Sequence, residues 1–528
     1  MSIEKSASEA VANPAAWRQA VLDYLRPAGG PAHRAHLFTI NGLTYPSHRD
    51  FGFAAVPDPH EIVPGAKESE YIEQADLVGG IRTPSSGLGL SIPRSKRRFS
   101  MLAYLRSLRK GDLLFFFQAL PEWPDDMLNR RGFRGIWVVK SDAFRDVSDI
   151  ELKSGYKILG TCPGCHTPFD FGEGNLSSGK KCPLCGTSYG SVKVSAGGKT
   201  KEYPPVVLSA RTKIEPLVIF ARTAPDNRVY TDMSVEPMIW ISRADNSMGA
   251  GKGSSIRTLL PEEASKIAYM LATEDSQSLD RDPVGHYAGT SASIIADHNG
   301  VDVALPRVKV SGKRVVKVIL EHELHLNYYF ARTIDDPSHP LPKMLGLPLS
   351  EIDYWTTEFP WGYTADTVDF LVSCWNKTSG RHLIYVFEFK RENIDRDALA
   401  EVLLYVPWCV QICTQYLDDT GTVEVVPVLV GRKVTLSKLP ADYDLTLNFI
   451  TSKSARHVAV RTPRTLEYEP IDLFWQTDVH SGSRQYYAKD LRFWTVKLPT
   501  ASITPPPATL TTTSVEKAHV AATSLSTF

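Results

Sequence analysis

Three residues in the second half of the chain have the types and the spacing for metal-assisted hydrolysis. Asp369 lies near the start of the apolar run TVDFLVSCW, and Glu388 and Lys390 follow in a second run, HLIYVFEFKR. Residues two apart on a strand share a face, so Glu388 and Lys390 project together while Phe387 and Phe389 pack behind them. Two charged groups aligned inside an apolar strand are costly without a purpose. Phosphodiester cleavage needs a nucleophilic water and neutralisation of a charged transition state. Carboxylates holding Mg2+ or Mn2+ beside a lysine supply both. In that scheme Asp369 and Glu388 hold the ion, and Lys390 orients the attacking water or stabilises developing charge. A lone Glu-x-Lys on a solvated strand edge is ordinary, so the assignment leans on the elements around it.

Four of the seven cysteines form two pairs, Cys162-Pro163-Gly164-Cys165 and Cys182-Pro183-Leu184-Cys185. Two thiolate pairs on tight turns, separated by a short hairpin's length of chain, match tetrahedral Zn2+ coordination. Gly186 suits the tight turn after the second pair. A redox dithiol and a disulfide pair are the competing readings, and the recurrence of the pair without thioredoxin-like surroundings favours zinc. Four cysteines close the coordination sphere, so the ion is expected to be structural, with His166 a solvent-facing surplus. The other three, Cys374, Cys409 and Cys413, sit in apolar contexts and read as buried thiols, which suits a reducing, cytoplasmic setting.

Two tempting motifs fail on spacing. His322-Glu323-Leu324-His325 is HExH, with its histidines three apart and off the shared helical face that HExxH requires. Gly249-Ala250-Gly251-Lys252 lacks the P-loop interval.

The elements that must position these groups follow from periodicity. Residues 14–26 carry helical spacing ended by Pro-Ala-Gly-Gly-Pro, read as an N-terminal extension over 1–34. HLFTI, GDLLFFFQAL, FRGIWVVKS, LVIFAR and PMIWISR are strand-like, in the manner of a small β-barrel or strongly curved sheet. The Asp/Ser/Gly-rich stretch 273–314 reads as a linker. Beyond it, EHELHLNYYFARTI is a predicted helix, TVDFLVSCW and HLIYVFEFKR strands, DALAEVLLYVPWCVQIC a long helix, and EVVPVLVGRKV and LTLNFIT further strands. That is an alternating α/β order. Residues 481–528 read as a C-terminal extension whose Thr/Ser/Ala/Pro tail lacks the apolar content to order itself.

The stretch VDFLVSCWNKTSGRHLIYVFEFKR followed by DALAEVLLYVPWCV resembles the NucS/RecB-like branch of the PD-(D/E)XK nucleases. The likeness lies in an Asp strand, an ExK strand and a helix ending in tyrosine and tryptophan, over about residues 315–475. The family often has a glutamine four residues before that tyrosine; here Glu401 precedes Tyr405. ELHLNYYFAR resembles the family's first helix, where a glutamate completes the metal site, and the matching residue is Glu323. The resemblance implies an α/β restriction-endonuclease-like domain over 315–480 with Asp369, Glu388 and Glu323 as metal ligands.

Upstream, MLAYLRSLRKGDLLFFFQ and RGFRGIWVVKSDAFRD resemble the PUA-like group that includes EVE and YTH domains. KEYPPVVLSARTKIEPL and MGAGKGSSIRTLLPEEASKIAYML look like its closing strands and last helix. This implies a PUA-like β-barrel over 35–272, mixed α/β, with the zinc ribbon inserted at 158–190. Such domains hold an unpaired base between aromatic faces. The candidates are Phe115, Phe117, Trp123, Trp137 and Trp240, of which Trp123, in the polar loop LPEWPDD, is the least core-like. Arg94, Lys96, Arg97 and Arg98, and Arg130, Arg131 and Arg134, are candidates for phosphate contact, with Tyr405 a further nucleic-acid contact.

The expected protein is therefore multidomain: a reader joined to a metal-dependent endonuclease acting on modified or unusual DNA, in the manner of restriction. A repair endonuclease for mismatched or branched DNA, or a non-catalytic DNA- or RNA-binding protein, are the alternatives, and a second copy of the chain is a further candidate partner. Lys plus Arg and Asp plus Glu both number 59, so net charge gives no pointer to a polyanion. The chain has no run near the roughly 18–20 apolar residues of a membrane span, and no basic start followed by an apolar stretch.

Overall fold

The computed structural model describes residues 12–27, 32–41, 44–56, 102–120, 132–152, 157–166, 185–188, 192–196, 199–203, 208–225, 256–274, 305–312, 317–360, 367–414, 421–448, 455–477 and 482–501, with a few isolated positions between them. They form a mixed α/β protein of two units, each built on its own curled sheet.

The first unit runs α1 (Pro14–Leu25), β1 (Ala35–Asn41), α2 (Tyr45–Phe51), β2 (Phe53–Val56), β3 (Leu113–Leu120), β4 (Gly132–Val139) and β5 (Phe144–Arg145). Two small hairpins follow, β6 (Ile150–Glu151) with β7 (Lys157–Ile158) and β8 (Val192–Ala196) with β9 (Lys199–Tyr203). Then come β10 (Ala210–Pro225), β11 (Ile256–Leu259) and α3 (Pro261–Glu274). The sheet order is β11-β1-β3-β4-β10-β2, with β5 also on β10. The unbroken apolar run of β3 is explained by burial on both faces. Phe115 and Phe117 join α1 and α3 in one core, while Leu114 and Phe116 face a second core with Phe38, Tyr45 and Trp137. Gly135 in β4 is dictated by close approach, since a Cβ there would stand 2.6 Å from the Val218 carbonyl oxygen.

The second unit runs β12 (Arg307–Ser311), β13 (Lys317–Leu320), α4 (Leu324–Thr333), α5 (Pro340–Leu345), β14 (Ile352–Pro360), β15 (Thr367–Asn376), β16 (Arg381–Ile394) and α6 (Arg396–Thr414). It continues with β17 (Val423–Val434), β18 (Tyr443–Asn448), β19 (Ala455–Val460), β20 (Arg464–Thr477) and β21 (Arg484–Thr495). The order is β13-β12-β21-β20-β17-β16-β15-β14, and β19, paired with β18, adds to β17. β16 and β17 are parallel, joined by the crossover helix α6. Ile384 and Val386 of β16 pack under α6, and Tyr385, Phe387 and Phe389 pack on the opposite face with Phe330 of α4.

Three expected boundaries are corrected. The 1–34 segment is not an appendage, because Trp17, Val21 and Leu25 of α1 are core residues of the first unit. The 273–314 linker contains β12, which pairs with both β13 and β21. The second sheet does not stop at 480, since β21 pairs with β20 along its whole length. The signal missed in each case was short: a single buried helix face, a five-residue strand, and a strand studded with charges. PMIWISR and the tail from 502 onward lie outside the described residues.

The two units are in contact. β11 and β14, each at an edge of its sheet, meet, with the Tyr354 hydroxyl donating to the Thr258 carbonyl at 3.3 Å. Arg26, after α1, pairs with Glu262 of α3 and with Asp353 of β14. Helix α4 docks on the first unit: Tyr328 lies in the core cluster of Phe116 and Trp137, and Asp335 pairs with Arg109 at 2.8 Å.

Among the described residues one helix, α6, is long and apolar enough to cross a membrane by length and composition, although Arg396, Asp397 and Glu401 interrupt its apolar run. Over an 18-residue window its mean hydropathy reaches 1.2. Its Val402, Val406, Cys409 and Val410 side is buried against the sheet, as in a core helix.

Candidate functional site

β15 and β16 pair with Phe370 opposite Phe387, so Asp369 and Glu388, the next residues along each strand, are neighbours. Asp369 Oδ2 accepts a hydrogen bond from the Phe389 main-chain N–H at 2.6 Å. Glu388 is buried, and Lys390 Nζ donates to its Oε1 at 2.5 Å. Lys390 also donates to Glu401 Oε2 at 2.9 Å, and the Tyr405 hydroxyl, one helical turn further along α6, donates to Glu401 Oε1 at 3.0 Å. Glu323 stands immediately before α4, and its Oε2 accepts from the Arg391 N–H at 2.9 Å. The Arg391 carbonyl in turn accepts from the Tyr468 hydroxyl at 2.7 Å. The Glu-x-Lys segment is thus gripped from β15, α4, α6 and β20.

The electrostatics follow from this crowding. Burial and then the nearby Glu323 push the Asp369 carboxyl well above the usual carboxylate range. Burial and Asp369 likewise push Glu388 up, against the pull of Lys390. Burial alone would lower Lys390, but Glu388 and Glu401 outweigh it and keep the ammonium protonated. Glu401 is lowered despite partial burial, through its hydrogen bond from Lys390. Clustered acids short of positive charge are suited to a divalent cation. Among the described residues, however, the only group of three ligand atoms lying within 4.8 Å of one another is on cysteines. Around the Glu-x-Lys segment Lys390 stands between Glu388 and Glu401, and Asp369 is turned onto the main chain of Phe389.

That cysteine group is Cys162, Cys165 and Cys185. Cys162 and Cys185 sulfurs lie 3.7 Å apart, and the Gly164 N–H points at Cys162 Sγ at 3.4 Å. Gly186 has φ of 72°, in the left-handed region where glycine is favoured. Cys182 lies outside the described residues. The three thiols could hold a metal ion, and their all-sulfur donor set suits Zn2+.

The expected nucleic-acid contacts fare unevenly. Phe115, Phe117 and Trp137 are core side chains at 0–1% exposure, with no face left for a base. Arg134 is buried, spends its guanidinium on Gln118 Oε1 at 2.7 Å and stacks over Tyr45, so it is no phosphate contact. Tyr405 is buried in the α6 core with its hydroxyl on Glu401. Trp123, Trp240, Arg94, Lys96, Arg97, Arg98, Arg130 and Arg131 lie outside the described residues.

Sequence reasoning missed Asn327, whose side chain holds the Asp369 carbonyl, because an asparagine inside an apolar helix carries no motif. It also missed Asp112, which directly precedes the aromatic run of β3. Asp112 is a buried hub that accepts from Arg34 Nη2 at 3.0 Å and from the Arg109 N–H at 2.9 Å, and bonds the His36 ring at 2.9 Å. No known protein family and no curated protein matches the chain.

Proposed function

We propose that the protein is a metal-dependent endonuclease with a PD-(D/E)XK-type site at Asp369, Glu388 and Lys390, and that its first unit, read as PUA-like, selects modified or unusual DNA. The observation that carries this reading is Lys390 held 2.5 Å from Glu388 on a central strand, beside the half-buried Asp369. Asp369, Glu388 and Glu323 would hold Mg2+ or Mn2+. When bound, the ion would polarise a phosphoryl oxygen and lower the pKa of a water nucleophile. Lys390, aimed by Glu388 and Glu401, contributes a fixed positive charge where the phosphate gains negative charge, and it needs no reorganisation to do so. Tyr405 keeps Glu401 in place, and Glu401 keeps Lys390 in place. The cysteine cluster, completed by Cys182, serves as a structural zinc centre in this reading, and the unbridged Cys374, Cys409 and Cys413 suit a cytoplasmic setting.

The test is Mg2+-dependent cleavage of matched DNAs, unmodified, methylated and hydroxymethylated, by wild type and by Lys390→Ala. Cleavage confined to one modified DNA and lost in the variant supports the reading. Equal cleavage of all three points to repair. Undiminished cleavage in excess EDTA, or by Lys390→Ala, sinks the assignment of the site.

A further inference from the structure

We propose that Asn327 is a positioning residue for Asp369, and that the first unit holds Asn327 in place through α4. For its activity readout this rests on the nuclease reading; for its structural readout it rests on geometry alone. Asn327 is 1% exposed, and its Nδ2 donates to the Asp369 carbonyl at 2.9 Å and to Thr357 Oγ1 at 3.1 Å. Among the described residues its Oδ1 has no hydrogen-bond partner. A buried amide with an unspent acceptor costs stability, and an apolar residue of similar size would suit this helix face better. What the amide provides is a fixed main chain at Asp369, the first residue beyond the β15–β16 ladder.

The residues next to Asn327 on α4 grip the first unit. Arg106 Nε donates to the Tyr328 hydroxyl at 2.8 Å. Arg109 Nη2 donates to the Ala331 carbonyl at 2.7 Å and to Asp335 Oδ1 at 2.8 Å. Glu323 stands at the opposite end of the same helix. One short helix and its two flanks therefore present residues 323 and 327 to the site and residues 328, 331 and 335 to the first unit. Residues 327 and 331 are about 6 Å apart along the axis, so a shift at Arg109 is delivered to Asn327 with little slack. Thr357, the second partner of Asn327, belongs to β14, the strand that also meets the first unit.

The experiment uses the full chain with Asn327→Leu, which removes both bonds at nearly constant volume, with Arg109→Ala, and with the two combined. Cleavage kinetics and amide hydrogen exchange are measured on each. Asn327→Leu is expected to lower kcat roughly 10–100-fold with KM changed by less than about threefold, and to speed exchange at residues 368–371. Arg109→Ala is expected to act in the same sense but less strongly, and to add nothing in the Asn327→Leu background. An unchanged kcat in Asn327→Leu, or losses that multiply in the double variant, overturns the proposal. If the wild type cleaves no nucleic acid, exchange alone decides. Faster exchange at 368–371 in Arg109→Ala, absent when Asn327→Leu is already present, keeps the positioning role while the nuclease reading falls; unaltered exchange ends the positioning role.

Discussion

The guanidinium of Arg34 lies over the indole of Trp355, 3.8 Å from the ring centroid, and so joins the two units across their interface. Arg34 is itself fixed by Asp112 and by the Ser107 carbonyl. Burial pulls the Arg34 pKa down and Asp112 opposes it, while Arg34 and His36 overcome the burial of Asp112 to hold its carboxyl far below the usual range. Beneath the guanidinium, Trp355 stacks on Phe370 at 5.5 Å, the residue that follows Asp369.

Arg34→Ala is expected to destabilise the protein by about 3 kcal/mol, because it strips the cation–π contact and leaves Asp112 buried with less compensation. Thermal unfolding checks this, and both units should melt in one transition in the wild type. Two separate transitions, or a loss within about 0.5 kcal/mol, would contradict the coupling.

Glu401→Gln retains hydrogen bonding to Lys390 but removes a charge, and it should leave cleavage within about threefold of wild type. Glu401→Ala frees Lys390 and should cost roughly 10–100-fold in kcat. A larger loss in the glutamine variant than in the alanine one would show that Glu401 does something other than aim the lysine.

The cysteine cluster predicts one zinc ion per chain by elemental analysis. Cys165→Ser or Cys182→Ser should lose it and lower the melting temperature, while the circular-dichroism signal of the two large sheets persists. Full zinc content in Cys182→Ser would remove that residue from the ligand set.

His48 sets a pH dependence. It is buried, stacks on Phe116, bonds the Phe53 carbonyl through Nδ1, and burial lowers its pKa to about 4. In the unfolded chain its pKa is about 6.5, so between those values the unfolded state takes up a proton that the folded state refuses. Stability is therefore complete above pH about 6.5 and falls toward pH 4, with this residue contributing on the order of 3 kcal/mol. His36 is lowered in the same direction, again by burial. Denaturant unfolding against pH should show this slope, and His48→Gln should flatten it.

The strand and helix bearing the candidate site were legible because their apolar runs are long and the charged pair interrupts them. HLIYVFEFKR becomes β16, and DALAEVLLYVPWCVQIC lies within α6. Glu401 was visible as a departure from a pattern, but its role required knowing that α6 lies over Lys390. Phe115, Phe117 and Trp137 look alike as core or as pocket in a sequence, and only packing on both sheet faces decides between them. The interface was illegible for a related reason. Arg34 and Trp355 are some 320 positions apart in the chain, and nothing local marks either as a contact.

The meeting of β11 and β14 also bears on how such a chain could be taken apart. Each strand is the last of its sheet, and backbone groups left unpaired at such a border invite pairing with other chains. Here each border is shielded by the other half of the molecule. Expressed alone, either half would carry a raw sheet margin beside a stripped tyrosine or arginine, and would be prone to self-association. The two halves are thus poor candidates for recombination with foreign partners, and a graft that moves one should carry the other's facing strand with it.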